Sequence, residues 1–164
     1  MATNTNTAIG QKPIIITRTF DLAVTKVWQA WTEPESFKKW WGPKNFTCPY
    51  CSIDLKPGGK YLTCMLSYEG AEFWSTGVYK EIIPNKRLVC TDSFSDDKGN
   101  IIPASDLKMP GEWPLELMIT VTLEEAGGKT KMQLQQVGVP SEIYDECIKG
   151  WEQSFDKLQE NAHY

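Results

Sequence analysis

The chain has 164 residues, 41% hydrophobic and 23% charged, and at roughly 150 residues per domain it makes one ordinary globular domain. That balance excludes a disordered tail, a coiled coil and a collagen-like chain, and no apolar run approaches the ~18 residues of a membrane-spanning helix. The net charge of 17 − 21 = −4, with no basic block, argues against a nucleic-acid phosphate backbone as partner.

Residues 1–12 (MATNTNTAIGQK) read as a disordered lead-in to a single domain over 13–164. They carry neither the positive cluster nor the apolar block of a secretory signal. Five cysteines, an odd number, then point to free thiols in a reducing, cytoplasmic setting. Ile14 to Phe20 is β-branched and aromatic and predicts a strand. Asp21 offers a helix cap before Val24, Val27, Trp28 and Trp31, which recur at helical spacing. A second short helix starts around Pro34 and stops at Trp40-Trp41-Gly42-Pro43.

From Asn45 the period changes to two. Phe46 to Leu55, Lys60 to Tyr68, Trp74 to Ile83 and Arg87 to Phe94 read as strands joined by turns at Pro57-Gly58-Gly59, Glu69-Gly70 and Pro84-Asn85-Lys86. Leu115 to Glu124 alternates cleanly and pairs with Thr130 to Val137 across Gly127-Gly128. Turns this short imply antiparallel pairing. Between Ser95 and Pro114 no period holds, and a loop of that length in a compact domain reads as a flap over one end of the sheet. The last helix runs from a cap at Ser141 to about Ala162, with Ile143, Tyr144, Cys147, Ile148, Trp151, Phe155 and Leu158 on one stripe. Only this helix is long enough to cover the apolar face of the sheet.

Several local motifs resemble a known family. They are Val27-Trp28-Gln29-Ala30-Trp31-Thr32-Glu33-Pro34, Lys39-Trp40-Trp41-Gly42-Pro43, Ile53-Asp54-Leu55-Lys56-Pro57-Gly58-Gly59, Gly77-Val78-Tyr79-Lys80-Glu81-Ile82 and Gly150-Trp151-Glu152-Gln153-Ser154. Together they resemble stand-alone homologues of the C-terminal domain of the heat-shock-protein ATPase activator, within the START-like, birch-pollen-allergen-like (SRPBCC) group. The resemblance spans roughly Ile14 to Ala162. It implies an α+β helix-grip (START-like) fold. There, a curved antiparallel sheet of six to seven strands wraps a long C-terminal helix and leaves an internal apolar cavity. It also brings a chaperone into view as a possible partner.

The chemistry-bearing residues divide between bland and functional readings. Cys48-Pro49-Tyr50-Cys51 has the spelling of a dithiol redox motif, but it leads into a strand rather than the helix that would lower a thiol pKa. In extended chain its two thiols should face opposite ways. No second cysteine pair or nearby histidine completes a zinc site, and no cofactor is implied. The one histidine, His163, sits at the terminus, which removes Ser–His–Asp chemistry. Pro57-Gly58-Gly59-Lys60 lacks the spacing of a phosphate loop, and Asp96-Asp97-Lys98-Gly99-Asn100 lacks the ligands of a calcium loop. Asp92 interrupts an apolar alternation, either as a loop cap or as a buried acid. Gly150 lies mid-helix with Cys147 and Ser154 on one edge, either for close backbone packing or to clear space for a bound molecule.

Three functions follow. The first is a binding module for an apolar or aromatic small molecule, with Tyr61, Met65, Trp74, Asp92, Trp113, Leu117, Ile119, Met132, Cys147, Trp151 and Phe155 as candidate liners. The second is a chaperone-partner module acting through its surface. The third is a START-like enzyme, a cyclase or hydrolase, whose acid–base groups would come from Asp92, Glu72, Glu81 or Tyr61. No catalytic set is assigned.

Overall fold

A computed structural model describes residues 12–161. Residues 1–11 of the expected lead-in, and His163, lie outside the described residues. The elements follow in the order β1 (Ile14–Phe20), α1 (Val24–Thr32), α2 (Pro34–Phe37), β2 (Phe46–Ile53), β3 (Lys60–Ser67), β4 (Glu72–Ile83), β5 (Arg87–Ser95), β6 (Leu117–Ala126), β7 (Lys129–Val137) and α3 (Tyr144–Asn161). The strands form one seven-stranded antiparallel sheet in the order β1-β7-β6-β5-β4-β3-β2. The fold is the helix-grip fold.

That order puts β1 and β2 at opposite edges, so the chain between them must cross the mouth of the curled sheet. Helices α1 and α2 make the crossing and bring an aromatic cluster with them. Trp40 is fully buried, its Nε1 donating to Ala30 O at 2.8 Å. The Trp31 ring packs edge-on to Trp40 at 4.7 Å and tilted against Phe155 at 6.3 Å. Along the sheet, Leu117, Ile119, Val121 and Leu123 of β6 alternate inward with Met132 and Leu134 of β7. Each of these side chains is nearly or wholly removed from water, and burying such a side chain is worth about 1.5–3 kcal/mol.

Helix α3, at 1.5 Å per residue, is about 27 Å long and lies along this concave face. Phe155 and Leu158 are fully buried beneath it. Polar contacts fix it to both sheet edges. Arg18 of β1 donates to Glu152 at 2.9 Å and Asp156 at 2.8 Å, while Lys157 donates to Phe46 O at 3.1 Å on the β2 side.

Three local expectations are corrected. Asp21 does not cap α1: Ala23 holds the N-cap position, and backbone carbonyls alone take the first amides. Ser141 begins a short 3-10 turn, so α3 proper starts at Tyr144 with Asp145 and Glu146 in its first turn. In β2 the register shifts between Thr47 and Tyr50, so the strand carries an extra residue there. The bulge turns Cys48 onto the same face as Cys51. Cys48 Sγ lies 3.1 Å from Thr63 Oγ1, and Thr63 is the cross-strand partner of Cys51. The thiols therefore share a face instead of opposing one another.

Candidate functional site

One end of the space between sheet and α3 is filled by the aromatic cluster. The other end is hollow. A cavity of about 220 Å³ lies there, with a largely apolar lining. Strands supply Met65 of β3, Asp92 and Phe94 of β5, Leu117 of β6 and Gln136 of β7. Helix α3 contributes Cys147, Gly150, Trp151 and Ser154, and the turn after α2 contributes Trp41, Gly42 and Pro43.

The long connection between β5 and β6 forms the flap. Asp96 organises its start, accepting from the amides of Lys98 and Asn100 at 2.9 Å each. Those bonds, with the Asn100 side chain foremost, hold the Asp96 carboxyl below its usual range. Ile102 N then bonds Phe94 O at 2.9 Å, and a 3-10 turn over Ala104–Leu107 reverses the chain. Met109 and Trp113 reach the cavity from this flap. Trp113 packs edge-on against Phe94 at 5.2 Å and donates from Nε1 to Pro110 O at 2.9 Å.

Asp92 stands at the wall of the cavity as a largely buried acid, because β5 places it in phase with inward-facing Cys90 and opposite Leu117. Tyr61 Oη lies 2.7 Å from Asp92 Oδ1 and 3.0 Å from Thr91 O. A phenol has one proton and cannot donate to both. Both contacts become hydrogen bonds when Asp92 is protonated and donates to Tyr61 Oη, while Tyr61 donates to Thr91 O. Burial pushes the Asp92 carboxyl up to about 6, against the opposing effect of the Tyr61 bond. Burial, reinforced by Asp92, also pushes Tyr61 well above the ordinary phenol range. Gly77 makes the pair possible: any β-carbon there would collide with Thr91 O and the Tyr61 ring.

The candidate liners separate by position. Met65, Asp92, Trp113, Leu117, Cys147 and Trp151 border the cavity. Tyr61 and Ile119 instead border a void of about 20 Å³ deeper in the core, lined also by Trp31, Tyr79 and Cys90. Met132 and Phe155 are fully buried in the packed core. Trp74 is corrected outright. It pairs with Cys64 on the outer face of the sheet, packs on Tyr50 at 5.5 Å and donates to Glu72 at 3.0 Å. Of the other acid–base candidates, Glu72 is thereby held at the outer surface, and Glu81 pairs with Arg87 at 2.8 Å. Neither joins Asp92, so no carboxylate pair forms.

Among the described residues no three His, Cys, Asp or Glu side chains cluster to hold a metal. The five thiols are free, and burial raises Cys51 to about 12, Cys147 to about 11 and Cys48 above its ordinary value. These are poor nucleophiles. Trp41 Nε1 and Ser93 Oγ, on two residues of the cavity wall, are buried with no hydrogen-bond partner among the described residues.

The family model described as Activator of Hsp90 ATPase homolog 1-like protein matches residues 21–163. The chain belongs to this family. A protein of Nitrosomonas europaea, solved by a structural genomics consortium, shares the Hsp90-activator-like fold at a TM-score of 0.74 with 25% identity, covering 90% of this chain and 92% of that one. One from Chromobacterium violaceum gives 0.74 at 25% identity, covering 93% and 97%. The AHSA1 protein of Silicibacter pomeroyi gives 0.70 at 19%, covering 90% and 94%. No curated protein matches the chain. No helix among the described residues of this Hsp90-activator-like chain is long and apolar enough to cross a membrane.

Residue reasoning missed several liners. Gln136 had a usable signal, being a polar residue in phase with inward-facing Met132 and Leu134; Trp151 Nε1 donates to its Oε1 at 2.8 Å. Phe94 is two residues from Asp92 and shares its face. Met109 had none, because the flap has no period to read.

Proposed function

We propose that the protein binds a small apolar or aromatic molecule in the cavity between α3, the sheet and the flap. The observation that carries this reading is the 220 Å³ hollow itself, set in a core that is otherwise tightly filled. Indole walls suit such a ligand, each offering a broad apolar plane. Binding sites of this kind are concave and mostly apolar with few polar groups, and Asp92 and Gln136 fill that last role here. The free thiols support a reducing, cytoplasmic setting.

Trp41, Trp113 and Trp151 make the site its own reporter. Titrating the chain with benzyl alcohol and following intrinsic fluorescence should give a saturable change. A wild-type protein with no saturable response to benzyl alcohol or to benzylamine rejects the reading.

The family match supports a second reading, association with the Hsp90 ATPase, which would use the surface rather than the cavity. A pull-down combined with an ATPase assay measures it. Absence of stimulation at excess protein rejects it.

A further inference from the structure

Asp92 is the single acid among the described residues that line the cavity, and no described lysine or arginine lines the space with it. Its one hydrogen-bond partner among the described residues is Tyr61, through Oδ1. The other titratable groups facing it are Cys90 on its own strand and Cys147 across the cavity on α3. Both thiols, like Tyr61, are driven toward their neutral forms by burial. The cavity therefore holds one ionisable carboxyl with no counter-charge among the described residues that line it.

An ionised carboxylate removed from water without a cation is costly. An anionic ligand would add repulsion to that cost, and a plain hydrocarbon would strip water from the carboxylate and return nothing. A ligand cation removes the cost. The walls suit such a group too, because Trp113, Trp151 and Trp41 surround the same space and indole faces attract cations.

We propose that the cavity takes a compact amine, its ammonium group hydrogen-bonded to Asp92 and its apolar body held among the indoles of Trp41, Trp113 and Trp151. This rests on the reading of the cavity as a ligand site and narrows the ligand's chemistry. Bound cation and bound proton compete for Asp92. Amine affinity is accordingly full above the point where the free carboxyl titrates, about 6, and falls as pH drops through it.

Three probes of matched shape decide the matter: benzylamine, benzyl alcohol and benzoate, each titrated into the full chain by intrinsic fluorescence. At about pH 8 benzylamine should bind roughly ten-fold tighter than benzyl alcohol, as a charge-assisted bond predicts, with benzoate weakest. At about pH 5 the preference for the amine should shrink, since Asp92 is then largely protonated. Asp92→Asn, which retains a partner for Tyr61, should bind amine and alcohol alike. Equal affinity for amine and alcohol in the wild type overturns the amine assignment and leaves the apolar ligand site standing. A preference surviving in Asp92→Asn overturns it as well. Should that variant not fold, the wild-type comparison across pH decides alone: a preference that does not fall with pH overturns the assignment. Failure of amine and alcohol both to bind rejects the ligand site itself.

Discussion

Gly150 offers the sharpest test of how α3 is seated. A glycine inside a helix costs about 1 kcal/mol relative to alanine, so its presence calls for a local reason. Close backbone packing is one such reason, and the structure speaks against it. A β-carbon at Gly150 would meet only Pro43 Cβ and Cγ, each at 3.9 Å, which is ordinary contact distance. Gly150→Ala should therefore recover the propensity term and add two weak contacts of about 0.1–0.2 kcal/mol each. The net gain is about 1 kcal/mol, raising Tm by about 2–4 °C for a chain of this length. Gly150→Leu should fold as well, but its side chain enters the space between Trp151 and Pro43 and abolishes saturable binding of benzyl alcohol. Thermal unfolding by circular dichroism and fluorescence titration measure the two effects. A lowered Tm in Gly150→Ala, or wild-type affinity in a folded Gly150→Leu, refutes the reasoning.

Trp151→Ala removes the stacked contact with Phe155 at 5.5 Å and strands Gln136 Oε1; because Trp151 already borders a hollow, the loss should fall near the low end of the usual range, about 3 kcal/mol in urea unfolding. A change under about 1 kcal/mol would mean that α3 is not held by this residue. Asp92 has its folded-state pKa raised to about 6 from 3.8, so it contributes stability that is fully present below the unfolded value and lost as pH rises toward 6. Because the carboxyl opens onto the cavity, the span is discounted to at most about 2 kcal/mol. Between these pH values the wild type should lose stability relative to Asp92→Asn; parallel curves would show that Asp92 is not buried as described. Trp113→Ala should weaken benzyl alcohol binding while costing the Phe94 contact, about 0.5–1.5 kcal/mol, and the exposed hydrogen bond to Pro110 O. Cys48 and Cys51 should react slowly with iodoacetamide at about pH 8 until denaturant is added, because burial holds both as thiols. Rapid native-state alkylation would revive the redox reading.

Periodicity carried most of the fold. The alternation in β6 and β7 and the stripe on α3 each follow from one face being wet and one dry, which a sequence displays directly. The misreadings arose where local geometry breaks a period. Trp74, large and aromatic, reads as an inward residue, yet two inward-facing neighbours, Ser75 and Tyr79, put it on the opposite parity. The bulge at Cys48 reverses the facing of one thiol through a single inserted residue, which no spacing rule anticipates. The edge of Cys147, Gly150 and Ser154, by contrast, was visible as helical geometry, and all three border the cavity. The flap residue Met109 depended on tertiary closure alone.

The two ends of the interior use opposite side-chain volumes. Where α1 and α2 cross the mouth, Trp31, Phe37 and Trp40 fill the space until a void of about 20 Å³ remains, little more than a methyl group's worth. At the other end small residues, Gly42, Ser75, Gly150 and Ser154, face each other across about 220 Å³. A sealed, dry cavity of that size would cost about 5 kcal/mol at roughly 24 cal/mol per Å³, and the partial opening of this one to solvent lowers the figure. Even so, Gly150→Ala alone is expected to stabilise the chain. A sequence that packs one end of its core closely, yet forgoes a one-residue stabilisation at the other, is what the proposed ligand site requires, because a binding cavity is kept at the expense of stability.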